Sequence, residues 1–175
     1  PSTLSGADLA DALSACLSAQ EVSDGAASSL ASNPPDGAIF AATNWVEVCE
    51  RAILPIARAL AHAHAHGVLH RDLKASNLML TRDGRVLLVD FGLASTAGSS
   101  KLTKTGMQLG SLPYSPPEQL LGGSDAVTER SDVYALGVTF YELLTLRVPY
   151  WNEHYDELRQ QILEAIAFVA LEGFT

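Results

Sequence analysis

The sequence predicts a mainly α-helical fold carrying one small β-hairpin. Three observations predict it. Four stretches read as helices, from apolar spacing, capping residues or a long apolar run. Two short apolar runs flank the turn Arg82-Asp83-Gly84-Arg85. Residues 93–117, filled with Gly, Ser, Thr and Pro, show no period and read as one long functional loop. With 175 residues, 47% of them hydrophobic, the chain can bury one sizeable core.

The elements follow in order. Leu4 to Leu17 places Leu9, Leu13 and Leu17 at i, i+4 and i+8, one apolar face of a helix. Residues 18–43 read as a flexible low-complexity insertion, rich in Ala, Ser, Gly and Asp and carrying Asn33-Pro34-Pro35-Asp36-Gly37. A second helix runs from Asn44 to His66. Asn44 is its N-cap, Glu47 completes a capping box three residues on, and Gly67 is its stop. Pro55 lies inside and predicts a kink, because it removes one hydrogen bond of the ladder. Leu78–Thr81 and Val86–Val89 form the hairpin. Ser131 to Leu146 is a strongly apolar helix, expected to be buried on most sides, with Asp132 near its start. A last amphipathic helix spans Tyr155 to Leu171 and carries Leu158, Ile162, Leu163 and Ile166.

The net charge of −9 is unevenly spread. Residues 1–67 hold seven acidic and two basic side chains, 68–117 three and six, and 118–175 ten and three. The acidic ends argue against a nucleic-acid surface, whereas the basic middle suits a nucleotide and a phosphorylated loop. No apolar run reaches the ~18 residues of a membrane span, and no signal-peptide pattern appears. Cys16 and Cys49 match neither a zinc site nor a CxxC motif, which suits two free thiols in a reducing cytosol. The chain begins with Pro, so it reads as a piece of a longer protein.

Chemistry concentrates in the middle. His70-Arg71-Asp72-Leu73-Lys74-Ala75-Ser76-Asn77 is followed, one hairpin later, by Asp90-Phe91-Gly92. Phosphoryl transfer needs in-line positioning, neutralised phosphate charge and an oriented hydroxyl. Asp72 suits the substrate hydroxyl, and Lys74 can neutralise the transferring group. Asn77 and Asp90 offer the hard oxygen ligands that Mg²⁺ requires, and the hairpin returns Asp90 toward Asp72 and Asn77.

These motifs resemble the bacterial-type serine/threonine protein kinase family. The likeness extends upstream through Ala59–Leu69 and downstream through Gly110-Ser111-Leu112-Pro113-Tyr114-Ser115-Pro116-Pro117-Glu118 and Ser131–Gly137, covering about Ala38 to Glu164. It implies a protein-kinase large-lobe (C-lobe) architecture, truncated at both ends. Residues 1–17 would be the helix just after the interlobe hinge, and 44–175 the lobe itself. By resemblance, Asp72, Lys74 and Asn77 are catalytic, Lys74, Asn77 and Asp90 bind the nucleotide, and Asn77 with Asp90 holds the metal. The implied cofactors are ATP and Mg²⁺, the substrates Ser/Thr-bearing proteins, and the location of the kinase portion the cytoplasm, with anchoring of the parent left open. Lys74 two residues after Asp72 is the Ser/Thr pattern. Ser111 replaces the usual Thr and keeps a hydroxyl within reach of Asp72 and Lys74. Asp132 resembles the residue that pins the catalytic-loop backbone. Arg71 before Asp72 implies control by loop phosphorylation at Thr103 or Thr105, with Ser99 and Ser100 weaker candidates.

His62 and His66 share a helix face at i, i+4, but His64 points away and no nearby carboxylate completes a metal set. The family's ordinary Ala/His-rich helix end is the better reading.

The other half of a kinase site does not occur here. The chain has no G-x-G-x-x-G, and its only lysines are Lys74, Lys101 and Lys104, so none precedes the catalytic loop. The N-lobe of the parent is therefore the expected partner, and the isolated chain is expected to be inactive. Glu118 would pair with an Arg near the domain's C-terminus, which this chain stops short of. Residues 165–175 depart from the family pattern. Two rivals remain: a small-molecule kinase, which usually lacks the Lys74, Pro117-Glu118 and Asp132–Gly137 features, and a non-catalytic lobe acting as an interaction module.

Overall fold

The computed structural model describes residues 5–8, 10–12, 39–91, 109–122 and 126–172, with Leu109 and 166–172 by backbone alone. They fall into two compact units. One comprises the described residues up to Ala59 together with Leu78–Val89, the other Leu60–Asn77 and the described residues from Asp90 onward.

Helix α1, Trp45–Ala65, begins where its capping residues require. Asn44 Oδ1 accepts the Glu47 N–H at 3.0 Å, and Glu47 Oε2 reaches back to the Thr43 N–H at 2.8 Å and its hydroxyl at 2.9 Å. Arg51, one turn on, pairs with Glu47 Oε1 at 2.7 Å. The apolar stripe Val48, Cys49, Ala52, Ile56 and Leu60 is buried, while Pro55 lies on the exposed side. Burial pushes the free Cys49 thiol up to about 11. Cys16 and most of the first predicted helix lie outside the described residues, apart from helical backbone at 6–8 and 10–12.

In the first unit, the Gly6 N–H binds Ala42 O at 2.8 Å and the Ile39 N–H binds Gly84 O at 2.9 Å. Gly6 lies so close to the Ile39 carbonyl that a Cβ there would collide with it. Ile39–Ala41 forms a 3₁₀ turn, and Ile39 and Ala42 are buried, so packed structure begins before residue 43, where the predicted insertion closes. Strands β1, Leu78–Leu80, and β2, Val86–Leu88, pair antiparallel with Leu78 opposite Leu88 and Leu80 opposite Val86. The turn between them is closed by Thr81 N–H to Arg85 O at 2.9 Å and Gly84 N–H to Thr81 O at 3.0 Å.

The second unit contains 3₁₀ turns at Ala75–Asn77 and Leu109–Tyr114 and helices α2, Pro117–Gly122, α3, Glu129–Thr145, and α4, Tyr155–Glu172. The segment predicted as one long loop thus ends in a 3₁₀ turn. Leu158 and Ile162, one turn apart on α4, bury against Leu112, with Leu120, Tyr150 and Tyr155 around them. Leu163 is partly buried, and the Ile166 side chain lies outside the described residues.

Helix α3 corrects one expectation. Its buried residues are Ser131, Asp132, Ala135, Val138 and Thr139, a single face, whereas Val133 is 60% and Tyr141 47% exposed. The physical reason is that polar Ser131, Asp132 and Thr139 lie on the covered face while apolar Val133 and Tyr141 lie on the open one, so side-chain polarity does not mark the face that packs. Among the described residues no helix is long and apolar enough to cross a membrane.

Candidate active site

The site is built outward from a helix end. The Gly67 N–H binds His64 O at 2.9 Å and the Val68 N–H binds Ala63 O at 3.0 Å, with Gly67 left-handed at φ +71°. This is the paired closure that ends a helix on glycine, and it turns the chain into the loop His70–Asn77. Asp132, 1% exposed at the start of α3, anchors that loop. Its Oδ2 accepts the His70 N–H at 2.8 Å and its Oδ1 the Arg71 N–H at 2.9 Å. The anchor holds Arg71 at φ +68°, a left-handed conformation that non-glycine residues seldom adopt. His70 is fully buried and meets Phe91 edge-on, ring centroids 4.8 Å apart.

Three of the four predicted site residues are joined directly. Lys74 Nζ donates to Asp72 Oδ2 and to Ser111 Oγ, both at 2.8 Å. Asn77 Nδ2 donates to the Asp72 carbonyl at 2.7 Å, closing the loop on itself. Asp72 and Lys74 are 30% and 14% exposed at the side chain, an ion pair open on one side. The Lys74 contact occupies Oδ2, so Oδ1 of Asp72 remains an open acceptor among the described residues. Ser111 does reach Lys74, and its link to Asp72 runs through that ammonium.

Asp90 is not part of this hydrogen-bonded set. It is exposed, at φ +63°, and makes no side-chain hydrogen bond among the described residues. The pairing of Leu78 with Leu88 returns the chain so that Asn77 and Asp90 flank the same end of the hairpin. The donor chemistry fits Mg²⁺. With Asn77 Nδ2 engaged by a carbonyl, its Oδ1 is the amide oxygen without a partner among the described residues, and Asp90 adds a carboxylate unpaired among them; both are hard oxygen donors.

Residues 39–172 match the family model of the protein kinase domain. The chain belongs to that family. Among similar proteins, serine/threonine-protein kinase PrkC of Bacillus subtilis is 40% identical over 110 residues, 63% of this chain and 17% of its own length. Serine/threonine-protein kinase PknL of Mycobacterium tuberculosis is 40% identical over 111 residues, 63% of this chain and 27% of its own. PknH of the same species, also a serine/threonine-protein kinase, is 47% identical over 98 residues, 56% of this chain and 15% of its own. The chain thus spans less than a third of the length of the curated relatives it matches.

Other parts of this kinase lobe were not legible as contacts in the sequence. Glu118, for which a distant Arg partner is expected, accepts the Ser131 hydroxyl at 2.6 Å, and Ser131 Oγ in turn accepts the Thr128 N–H at 2.9 Å. The Tyr114 hydroxyl donates to Glu142 at 2.6 Å; burial, then Glu142, raises its pKa. His64, read in the sequence as lacking a carboxylate, binds Asp132 Oδ2 through Nε2 at 2.8 Å. Nothing local signals a partner 68 residues away. His62 and His66 contact each other, ring centroids 4.5 Å apart, and among the described residues no group of three His, Cys, Asp or Glu is arranged to hold a metal. Gly92, Ser99, Ser100, Thr103 and Thr105 lie outside the described residues.

Proposed function

We propose that this chain is the active-site half of a protein serine/threonine kinase, and that the protein carrying it transfers the γ-phosphoryl group of ATP to Ser and Thr hydroxyls of protein substrates. The observation that carries the reading is Lys74 Nζ bridging Asp72 Oδ2 and Ser111 Oγ. That bridge presents a cation and an open carboxylate oxygen side by side. Asp72 Oδ1 takes the hydrogen bond of the attacking hydroxyl and accepts its proton. The hydroxyl oxygen then bonds to the γ-phosphorus as the bond to the leaving ADP oxygen breaks. Lys74 neutralises charge on the equatorial oxygens. Asn77 Oδ1 and Asp90 would hold Mg²⁺, which would supply charge neutralisation along the nucleotide phosphates.

The Gly-rich loop and strand lysine come from an N-lobe outside this sequence, so residues 1–175 alone are inert. The kinase portion works in the cytoplasm. The exposed Arg71 guanidinium is available to a phosphorylated Thr103 or Thr105.

Steady-state kinetics of the longer protein on a Ser/Thr peptide test the Lys74 bridge. Lys74→Ala lowers kcat about 100-fold, in line with loss of one transition-state donor. Ser111→Thr keeps the rate and Ser111→Ala lowers it. Equal kcat for Lys74→Ala and wild type would refute the assignment.

A further inference from the structure

We propose that His62 and His66, one turn apart at the end of α1, form a two-histidine clamp for a divalent transition-metal ion of the Zn²⁺, Ni²⁺ or Cu²⁺ class. The clamp is separate from Asp72, Lys74, Asn77 and Asp90 and needs no nucleotide. Both residues are exposed, and their ring centroids lie 4.5 Å apart at an interplanar angle of 47°. Residues four apart on a helix are surface neighbours, so the two imidazoles are offered to solvent side by side. His64 between them is half-buried and engaged with Asp132, and takes no part.

One hydrogen bond makes the pair more than two neighbours. Where α1 ends, the His66 N–H turns to Ala63 O at 2.9 Å, which leaves the His62 carbonyl without its usual amide donor. The His66 ring takes that place, with Nδ1 2.8 Å from His62 O. A carbonyl oxygen only accepts, so in the neutral ring Nδ1 carries the hydrogen and Nε2 the lone pair. Ligating histidines are held in this way, one nitrogen donating to a carbonyl while the other faces the ion. The His62 ring makes no hydrogen bond among the described residues, so it can turn a nitrogen toward the same ion. Imidazole suits late first-row ions, whereas Mg²⁺ takes hard oxygens. The two nitrogens fill adjacent coordination positions, and water on the open side fills the rest. Positive charge is also favoured there by the carbonyls at the C-terminal end of the helix. A bound ion therefore ties together the last turn of α1, just before Gly67.

Titration calorimetry of the full chain with Zn²⁺, together with long-range proton–nitrogen NMR of the imidazoles, tests the clamp without nucleotide. Zn²⁺ should move the His66 Nε2 resonance and one nitrogen of His62, leave His66 Nδ1 protonated and leave His64 unmoved. Excess Mg²⁺ should not compete. His62→Ala or His66→Ala weakens Zn²⁺ binding at least about tenfold, as loss of one of two linked ligands implies. His62→Ala combined with Ala61→His keeps the number of histidines but sets the rings about 140° apart around the helix, and should bind no more tightly than His62→Ala. All three positions are exposed, so the fold tolerates these changes, and circular dichroism checks it. Equal Zn²⁺ affinity in wild type and both single variants would overturn the proposal, as would unmoved His62 and His66 nitrogens at saturation. Wild-type affinity in the Ala61→His variant would overturn it too, because the ion would then follow the number of histidines and not their shared face.

Discussion

Asp132 Oδ1 holds the Arg71 N–H at 2.9 Å while Arg71 sits at φ +68°, so a buried carboxylate on one helix sustains a left-handed residue in the loop His70–Asn77. A carboxylate suits the position because it only accepts, and three N–H groups point at it. In Asp132→Asn an amide nitrogen faces one of those donors. The expected cost is about 3 kcal/mol, the scale of breaking a buried hydrogen-bonded charge. Urea unfolding of the two chains measures it, and a difference below about 1 kcal/mol would contradict the anchor role.

Two glycines have opposite expected responses to the same substitution. Gly67 is left-handed with nothing near its missing Cβ, so Gly67→Ala meets no clash and loses about 1 kcal/mol to backbone strain alone. Gly137 is exposed inside α3, also with open space around a Cβ. There alanine improves helix propensity, and Gly137→Ala gains up to about 1 kcal/mol. Thermal unfolding of both variants should show the melting temperature moving down for the first and up for the second. Equal signs would mean that the helix closure at Gly67 does not govern its conformation.

Glu47 makes the start of α1 sensitive to acid. The Thr43 backbone N–H, then the Arg51 guanidinium and the Thr43 hydroxyl, hold its carboxyl down to about 2 from the usual 4.5. A depressed carboxyl contributes stability that is present above the unfolded value and lost as pH falls through the folded one. The first turn of α1 should therefore fray between about pH 4.5 and 2. An NMR titration of the Thr43 and Glu47 amides follows this. Glu47→Gln should weaken the cap already at neutral pH and remove the acid transition.

What could be read in the sequence was local or periodic. Asn44 and Glu47 lie three apart and cap α1, Gly67 ends it, and Leu158 and Ile162 share one turn of α4 in the core. The contacts that join Asp72, Lys74 and Asn77 to one another form within six residues, so they are local. The contacts that escaped depend on tertiary placement. His64 meets Asp132 across 68 residues, and Ser131 satisfies Glu118 across 13. The open side of α3 escaped for a different reason: apolar residues at Val133 and Tyr141 carry no mark of which face a neighbour covers. Asp90 stands between the cases. The hairpin spacing predicted its return beside Asn77, but no hydrogen bond ties it to the other three.

The central claim is that Asp72 orients the hydroxyl that attacks the nucleotide. Phosphate incorporation from ATP into a Ser/Thr peptide, measured with the longer protein that carries this chain, tests it most directly. The account predicts clear incorporation by the wild-type protein, loss of at least about 1,000-fold in kcat for Asp72→Asn, and none by residues 1–175 alone. Undiminished incorporation by Asp72→Asn, or robust activity of the isolated chain, would contradict it.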